Sequence, residues 1–538
     1  MRKTLTTFPV LLVAVALLTA APFSRLAAAD PLVDGAPSLE GLPILRIEFN
    51  RGDIFDTGDS ATSAWPYRWA NALNIVTKES FLRSMLLFQE GDAWSQEVAA
   101  ESARILRSLS FLNPVFIKAE REASGVVVTV DTHDQWTLQA GAKFGIQGDR
   151  KAFSIEFEEK NFLGRGRGVR IKYQSDHERR TWIYTFSDPN ILGTRWRGRV
   201  LFADASDGHR EELLAERPFY SLETSQAWGG EWKHWKQVEH LYSGGESIVQ
   251  GHRDYRKMFL RWGKRINTAG PNVHRISLAY HLDERIFSDW HWTGAGAVFP
   301  DPADRAISGP RVEYEIQPTH FEVLHGFRTW SAQEDQAFGT SLTAGLTLSL
   351  PEFGGDVQRL VLDSAWDYSH RAGDWLVLSK LWLNGRSDEG KVANLVGGFQ
   401  IALSQLGPKG WQFRLFAEDS SNLDRERQLT LGADFGLRGW DPDTFDGTGR
   451  AVANLQWRTL VKEDFLHLFS LGVVLFVDAG ATWNPRVGFD TDGVRFDAGI
   501  GLLADLTHIG LANLLRVDLA FPDDGSGITV IVTSSALF

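Results

Sequence analysis

The sequence predicts a mainly β protein: a sixteen-stranded antiparallel transmembrane β-barrel over residues 136–538, preceded by one small α+β domain over residues 40–135. Three observations carry this reading. The second region offers many short segments of alternating apolar and polar residues, broken by Gly, Asp, Asn and Pro, with no helical period. Aromatic residues reach 12%, with 20 Trp and 34 Phe, and such side chains collect where apolar and aqueous surroundings meet. Beyond residue 29 no apolar run approaches the about 20 residues of a spanning helix. A membrane protein without such helices crosses lipid only as a closed barrel.

Residues 1–29 read as a secretory signal peptide. Arg2 and Lys3 supply the positive start, residues 10–18 the apolar run, and Ala27-Ala28-Ala29 before Asp30 a small-residue cleavage site. A retained anchor is the rival reading, and the apolar run is too short for it.

The α+β region reads in the order β-α-α-β-β. Residues 44–49 alternate as a strand, and residues 77–87 form a short helix with Thr77 as N-cap. Ser95 caps a second helix, with Val98, Ser102, Ile105, Leu106 and Leu109 on one face. Strands follow at 114–119 and 125–132, the second placing Val126, Val128 and Val130 on one side.

In the barrel region, segments such as 153–157, 169–173, 182–186, 376–383 and 528–532 alternate as strands with one lipid face and one wet face. Roughly 400 residues, at about 10 per strand plus connections, accommodate about 16 strands. The polar stretches 204–216, 288–310 and 420–427 are expected as long extracellular loops. Trp290 and Trp292 either mark the outer membrane interface or pack within a loop.

Composition narrows the function classes. With no cysteine, disulfides, thiol nucleophiles, Cys-ligated zinc, iron–sulfur clusters and an N-terminal lipid anchor are excluded. A net charge of -12 disfavours general nucleic-acid binding. The 14 His show no metal-ligand spacing, so neither a metal nor a cofactor is expected. No G-x-S-x-G or H-E-x-x-H motif occurs. Gly58-Asp59-Ser60 lacks the companion blocks of a lipase, and the glycines of 164–168 open no helix. Asp441-Pro442-Asp443 and Asp490-Thr491-Asp492 read as solvated loops, and no catalytic residue is assigned.

Five motifs follow one another along the chain, the first in two parts. Phe88-Gln89-Glu90-Gly91-Asp92 joins the two helices, and residues 107–115 lead into the next strand. The barrel begins with Lys160-Asn161-Phe162-Leu163-Gly164-Arg165-Gly166, then Asp188-Pro189-Asn190-Ile191-Leu192-Gly193. Near the end come Phe435-Gly436-Leu437-Arg438-Gly439-Trp440 and Phe476-Val477-Asp478-Ala479-Gly480. Together these resemble the BamA superfamily, bacterial surface antigens whose members place POTRA domains before a sixteen-stranded outer-membrane barrel.

The resemblance implies one POTRA domain and a sixth extracellular loop tipped by Arg438, Gly439 and Trp440. It implies that this tip folds into the lumen, where Arg438 pairs with Asp478. A guanidinium offers a planar fork that suits a carboxylate. The resemblance also implies a final strand read by assembly machinery, here ending on Phe538. Three departures stand out. Gln456 occupies a position where relatives often carry Glu, residues 53–73 are an insertion with Trp65, Tyr67 and Trp69, and only one POTRA-like unit fits.

The function expected from this resemblance is noncatalytic: assembly or insertion of outer-membrane proteins, or polypeptide translocation. The POTRA domain, in the periplasm, binds unfolded outer-membrane or secreted polypeptide clients along a sheet edge. Outer-membrane lipids surround the barrel, and periplasmic proteins or lipoproteins are possible partners. The alternative is a passive porin-like channel with an open lumen.

Overall fold

A computed structural model describes residues 39–533, apart from 56, 59–61, 148–149, 268–269, 295–296, 485–489 and 508–513. The signal-peptide reading at 1–29, the lipase-like residues Asp59 and Ser60, and Phe538 lie outside the described residues.

The N-terminal unit contains β1 (Ile44–Gly52), α1 (Trp65–Leu73), α2 (Glu79–Met85), α3 (Gln96–Arg107), β2 (Leu112–Glu122) and β3 (Gly125–Asp134). Its sheet order is β1-β3-β2, with β1 parallel and β2 antiparallel to β3. The Val face of β3 closes on Leu82 and Leu106 from α2 and α3, giving one apolar core. α3 buries Ala99, Ser102, Ala103, Ile105 and Leu106, the face its periodicity marks.

Two details of the caps differ from expectation. α2 starts at Glu79 with Lys78 as N-cap, because the Thr77 hydroxyl is engaged elsewhere, donating to Asp134 Oδ1 at 2.9 Å. Ser95 does hold the N-cap position of α3, but Glu40 Oε1 receives the exposed Gln96 N–H, at 2.8 Å. The insertion at 53–73 carries α1, a helix the sequence did not announce. Tyr67 packs on Phe55 with ring centroids 4.9 Å apart, while Trp65 and Trp69 stay exposed.

The rest of the chain is a closed antiparallel barrel. It opens with six short strands: β4 (Leu138–Gln147), β5 (Arg150–Phe162), β6 (Arg167–Ser175), β7 (Arg180–Asp188), β8 (Arg197–Ala205) and β9 (Gly208–Arg217). β10 (Gln226–Ser243), β11 (Glu246–Arg265) and β12 (Asn272–Trp292) are the longest. Next come β13 (Arg305–Pro318), β14 (His320–Leu324), β15 (Glu334–Ser349), β16 (Arg359–Ala372), β17 (Trp375–Asp388), β18 (Lys391–Gln405) and β19 (Lys409–Ser421). A small hairpin of β20 (Leu429–Leu431) and β21 (Phe445–Gly447) stands apart from the wall. β22 (Gly449–Phe465), β23 (Phe469–Trp483), β24 (Arg495–Leu506), β25 (Leu514–Pro522) and β26 (Thr529–Thr533) complete the cylinder.

The wall holds twenty-one segments among the described residues. β13 and β14 are one strand interrupted at Thr319, so twenty strands close the barrel, not sixteen. The length-based expectation assumed long connections, whereas only Ser206 and Asp207 separate β8 from β9. For the same reason, 204–216 is not an extracellular loop but most of that hairpin. Its charges sit on the wet face, where Glu212 receives Arg199 at 3.0 Å and also Arg210. Residues 293–304 do form a connection, within the expected 288–310, and 420–427 opens the long connection at 422–448. Trp290 is buried against Val249 and Phe287, while Trp292 is exposed.

Alternation along the strands turns Phe157, Ile171, Trp182, Phe202, Trp228, Leu260, Leu360 and Leu475 outward, where they are exposed. A continuous apolar belt of this kind is too large for a water-facing surface and fits a bilayer. No described helix is long and apolar enough to cross a membrane, which says nothing about strands.

The N-terminal unit sits against one end of the barrel, and two of the sequence motifs are its sockets. Asn161 Nδ2 donates to the Thr77 hydroxyl at 2.8 Å, and Lys78 N donates to the Gly164 carbonyl at 2.9 Å. Gly166 has φ +67°, and a Cβ there would lie 2.4 Å from the Phe81 ring, so only glycine allows this approach. In the second motif, Asn190 Nδ2 donates to Ser84 Oγ at 3.0 Å, and Arg195 donates to the Met85 carbonyl at 3.1 Å. The connections 293–304 and 422–448 lie at the opposite end, since adjacent strands alternate in direction.

Candidate functional site: a loop fastened inside the barrel

The connection between β19 and β22 is 27 residues long, residues 422–448, and it enters the barrel. Counting hairpins from β4, it is the eighth on its side rather than the sixth, as twenty strands require. The β20–β21 pairing folds it back on itself, with Gly436 in the left-handed region at φ +104°. Leu431 and Leu437 are fully buried against Val452 of the wall.

This places Arg438 at the bottom of the fold-back, 7% exposed. Its Nε donates to Asp478 Oδ2 at 2.6 Å and its Nη2 to Asp478 Oδ1 at 2.7 Å, the parallel two-bond geometry of guanidinium and carboxylate. Nη1 reaches Gln456 Oε1 at 3.3 Å and Asp518 Oδ2 at 3.4 Å. The guanidinium lies 3.6 Å from the centroid of the Phe476 ring, adding a cation–π contact in a water-poor setting. The expected neighbours are therefore together. Gly439 lies so close to β24 that a Cβ would be 2.5 Å from Asp497 Cβ. Trp440 packs edge-on to Phe445 at 5.0 Å and donates to the Phe496 carbonyl at 3.4 Å.

Gln456 sits within reach of Arg438 as a neutral acceptor. Its Oε1 accepts from Arg438 and from Arg516 Nη1, the latter at 3.0 Å, while Asp518 supplies the second carboxylate. Arg516 also binds Asp518 through Nε at 2.7 Å. Asn454 closes the set, donating to Asp478 Oδ1 at 2.8 Å and to the Gly436 carbonyl at 2.6 Å. Arg516 and Asp518 were missed by the sequence reading. Their signal was two charges spaced i, i+2 in an apolar strand, hence both on the lumen face.

A second fastening lies nearer the outer end. Asp424 accepts from Arg386 Nη1 and Nη2 at 2.7 and 2.6 Å, and Arg305 bridges Glu426. Gln428 and Tyr242 exchange bonds, Tyr242 N to Gln428 Oε1 at 2.9 Å and Gln428 Nε2 to Tyr242 O at 3.1 Å. The loop thus reaches β10, β13 and β17 on one side and β22, β23 and β25 on the other. The site has ion pairs and hydrogen bonds that position a chain segment. Among the described residues no group of three or more His, Asp or Glu is arranged to hold a metal.

No protein-family model matches the chain, and neither does any curated protein. Among solved structures, BamA from Haemophilus ducreyi lacking POTRA domains 1-3 is similar at 13% identity and a TM-score of 0.39, over 91% of this chain and 84% of that one. CdiB from Acinetobacter baumannii is similar at 9% identity and a TM-score of 0.44, over 91% of this chain and 73% of that one. CdiB from Escherichia coli is similar at 10% identity and a TM-score of 0.41, over 96% and 92% of the two chains. Across most of its length, the chain is similar to these BamA and CdiB structures.

Proposed function

We propose that this chain is a bacterial outer-membrane barrel of the BamA superfamily that assembles, inserts or translocates polypeptides without catalysing a chemical reaction. The observation that carries the reading is the loop tip held inside the barrel by Arg438 and Asp478. A passive channel needs an open lumen, and a long fastened loop opposes that. The belt of outward apolar side chains supports placement among outer-membrane lipids.

The N-terminal unit acts as a periplasmic POTRA domain that receives unfolded outer-membrane or secreted clients by strand addition. With β3 central, β1 and β2 are the edges. Glu90 Oε1 accepts from Ile47 N and Arg83 donates to the Ile47 carbonyl, so side chains already occupy part of β1. On β2 the N–H and carbonyl of Val115 are likewise taken, by Gln333 and Arg107, so the stretch of β2 beyond Val115 is the edge proposed for clients. Periplasmic or lipoprotein partners fit the same role, and nucleic acid does not.

Depletion of the protein followed by quantitative outer-membrane proteomics tests the reading. Loss of particular barrels or secreted proteins, with small-solute uptake unchanged, is expected. An unchanged proteome with reduced solute uptake would establish the porin-like alternative instead.

A further inference from the structure

The connection between β14 and β15, residues 325–333, belongs to the end of the barrel that faces the N-terminal unit, yet it does not close as a tight turn. It runs inward, and two aromatic side chains anchor it to separate stretches of wall. Phe327 is 1% exposed in a cluster with Leu324, Phe338 and Leu376. Trp330 packs against Val474, Leu503 and Leu514 of β23, β24 and β25.

Two buried charges of the wall hold the loop backbone between these anchors. Arg458 of β22 donates to the carbonyls of Gly326, Phe327 and Arg328, the first at 2.7 Å and the last at 3.2 Å. Asp505 of β24 accepts from Trp330 N at 2.7 Å, Ser331 N at 3.1 Å and Ser331 Oγ at 3.0 Å. Gly326, at φ +69°, passes so near Gly407 that a Cβ would lie 2.9 Å from its Cα. Charges buried this way satisfy one specific loop conformation and penalise its loss.

The same loop is the seat of the N-terminal unit. Asn113 and Gln333 exchange hydrogen bonds, Asn113 Nδ2 to the Gln333 carbonyl at 3.1 Å and Gln333 N to Asn113 Oδ1 at 3.3 Å. Arg107, at the end of α3, forks onto Asp335 at 2.8 and 2.6 Å and is itself 7% exposed.

We infer that residues 325–333 form a latch through which docking of the N-terminal unit holds the periplasmic mouth of the barrel shut. Undocking leaves Asp335 without its guanidinium and Gln333 without its partners, so the loop then depends on Arg458, Asp505 and its two aromatic anchors alone and leaves the lumen more often. The latch goes beyond the assembly reading and holds whatever polypeptide or solute the barrel handles.

The absence of cysteine makes the test direct. Ser404 of β18 is buried and pairs across the sheet with Leu376 beside the latch, so Ser404→Cys in the full chain, in liposomes, reports its state by maleimide alkylation. Alkylation is expected to be slow in that background, several-fold faster with Arg107→Glu, and slow again with Arg107→Glu/Asp335→Arg. A second arm adds Asn113→Cys/Gln333→Cys, where the oxidised pair protects Ser404→Cys and its reduction accelerates labelling. Equal rates with and without Arg107→Glu in a folded barrel, or equal rates for the oxidised and reduced pair, would overturn the latch.

Discussion

Arg438 and Asp478 meet through two parallel hydrogen bonds of 2.6 and 2.7 Å, though forty residues separate them in the chain. Both are buried, so each protects the other from an uncompensated charge. Removing either partner is expected to destabilise the barrel by about 3–5 kcal/mol. The Arg438→Ala/Asp478→Ala double variant should cost less than the sum, with a coupling of about 0.5–3 kcal/mol. Urea unfolding in detergent micelles measures this, and strictly additive losses would show that the pair does not act as one unit.

Gly439 tests the fit of the tip to the wall. A methyl group there meets Asp497 Cβ at 2.5 Å with backbone of Pro522 behind it at 3.1 Å. Gly439→Ala is expected to cost about 1–3 kcal/mol as overpacking. Thermal melting of the variant beside the parent checks it, and an unchanged midpoint would mean the tip is not held against β24.

The outer fastening is separable from the inner one. Asp424→Ala removes the carboxylate that Arg386 grips while leaving Arg438 and Asp478 in place. Limited proteolysis should then cut within 422–428 several-fold faster, with the segment around 438 still resistant. Equal cutting rates at both places would indicate that the loop moves as one piece.

Asp134 links pH to the seating of the N-terminal unit. It is buried at the end of β3, and that burial raises its carboxyl to about 7 from an ordinary 3.8, although Thr77 donates to it through N and Oγ1. Between those values the native state binds more protons than the unfolded one, so stability falls as pH rises from about 4 to about 7. The ceiling is on the order of 4 kcal/mol, at 1.36 kcal/mol for each pH unit of separation. Parent protein should resist proteolysis of 40–134 better at pH 5 than at pH 8, and Asp134→Asn should flatten the difference. No slope would mean that Asp134 is solvated, and the opposite slope that the Thr77 hydrogen bonds to its carboxylate outweigh its burial.

The features legible in the sequence were those that a local period or a local motif encodes. The Val face of β3 and the apolar stripe of α3 follow from spacing alone, and the tip at Arg438 was legible through its motif and that of Asp478. Strand number was not legible, because lumen-facing charges such as Glu212 make a strand look like a loop. The latch at 325–333 was equally hidden: its holders Arg458 and Asp505 are more than a hundred residues away, and only closure of the barrel brings them together. Asp518 went unseen for the same reason. The Asn161 and Asn190 motifs were visible as turns, but their role as sockets for α2 required the docked unit.

Conductance of the full chain in planar lipid bilayers tests the filled lumen most directly. A loop fastened at Asp424 and Arg438 gives small, intermittent currents in the parent and larger ones in Arg438→Ala. A large, steady, ohmic conductance in the parent, unaltered by Arg438→Ala, would contradict the fastened loop and with it the proposed handling of polypeptides.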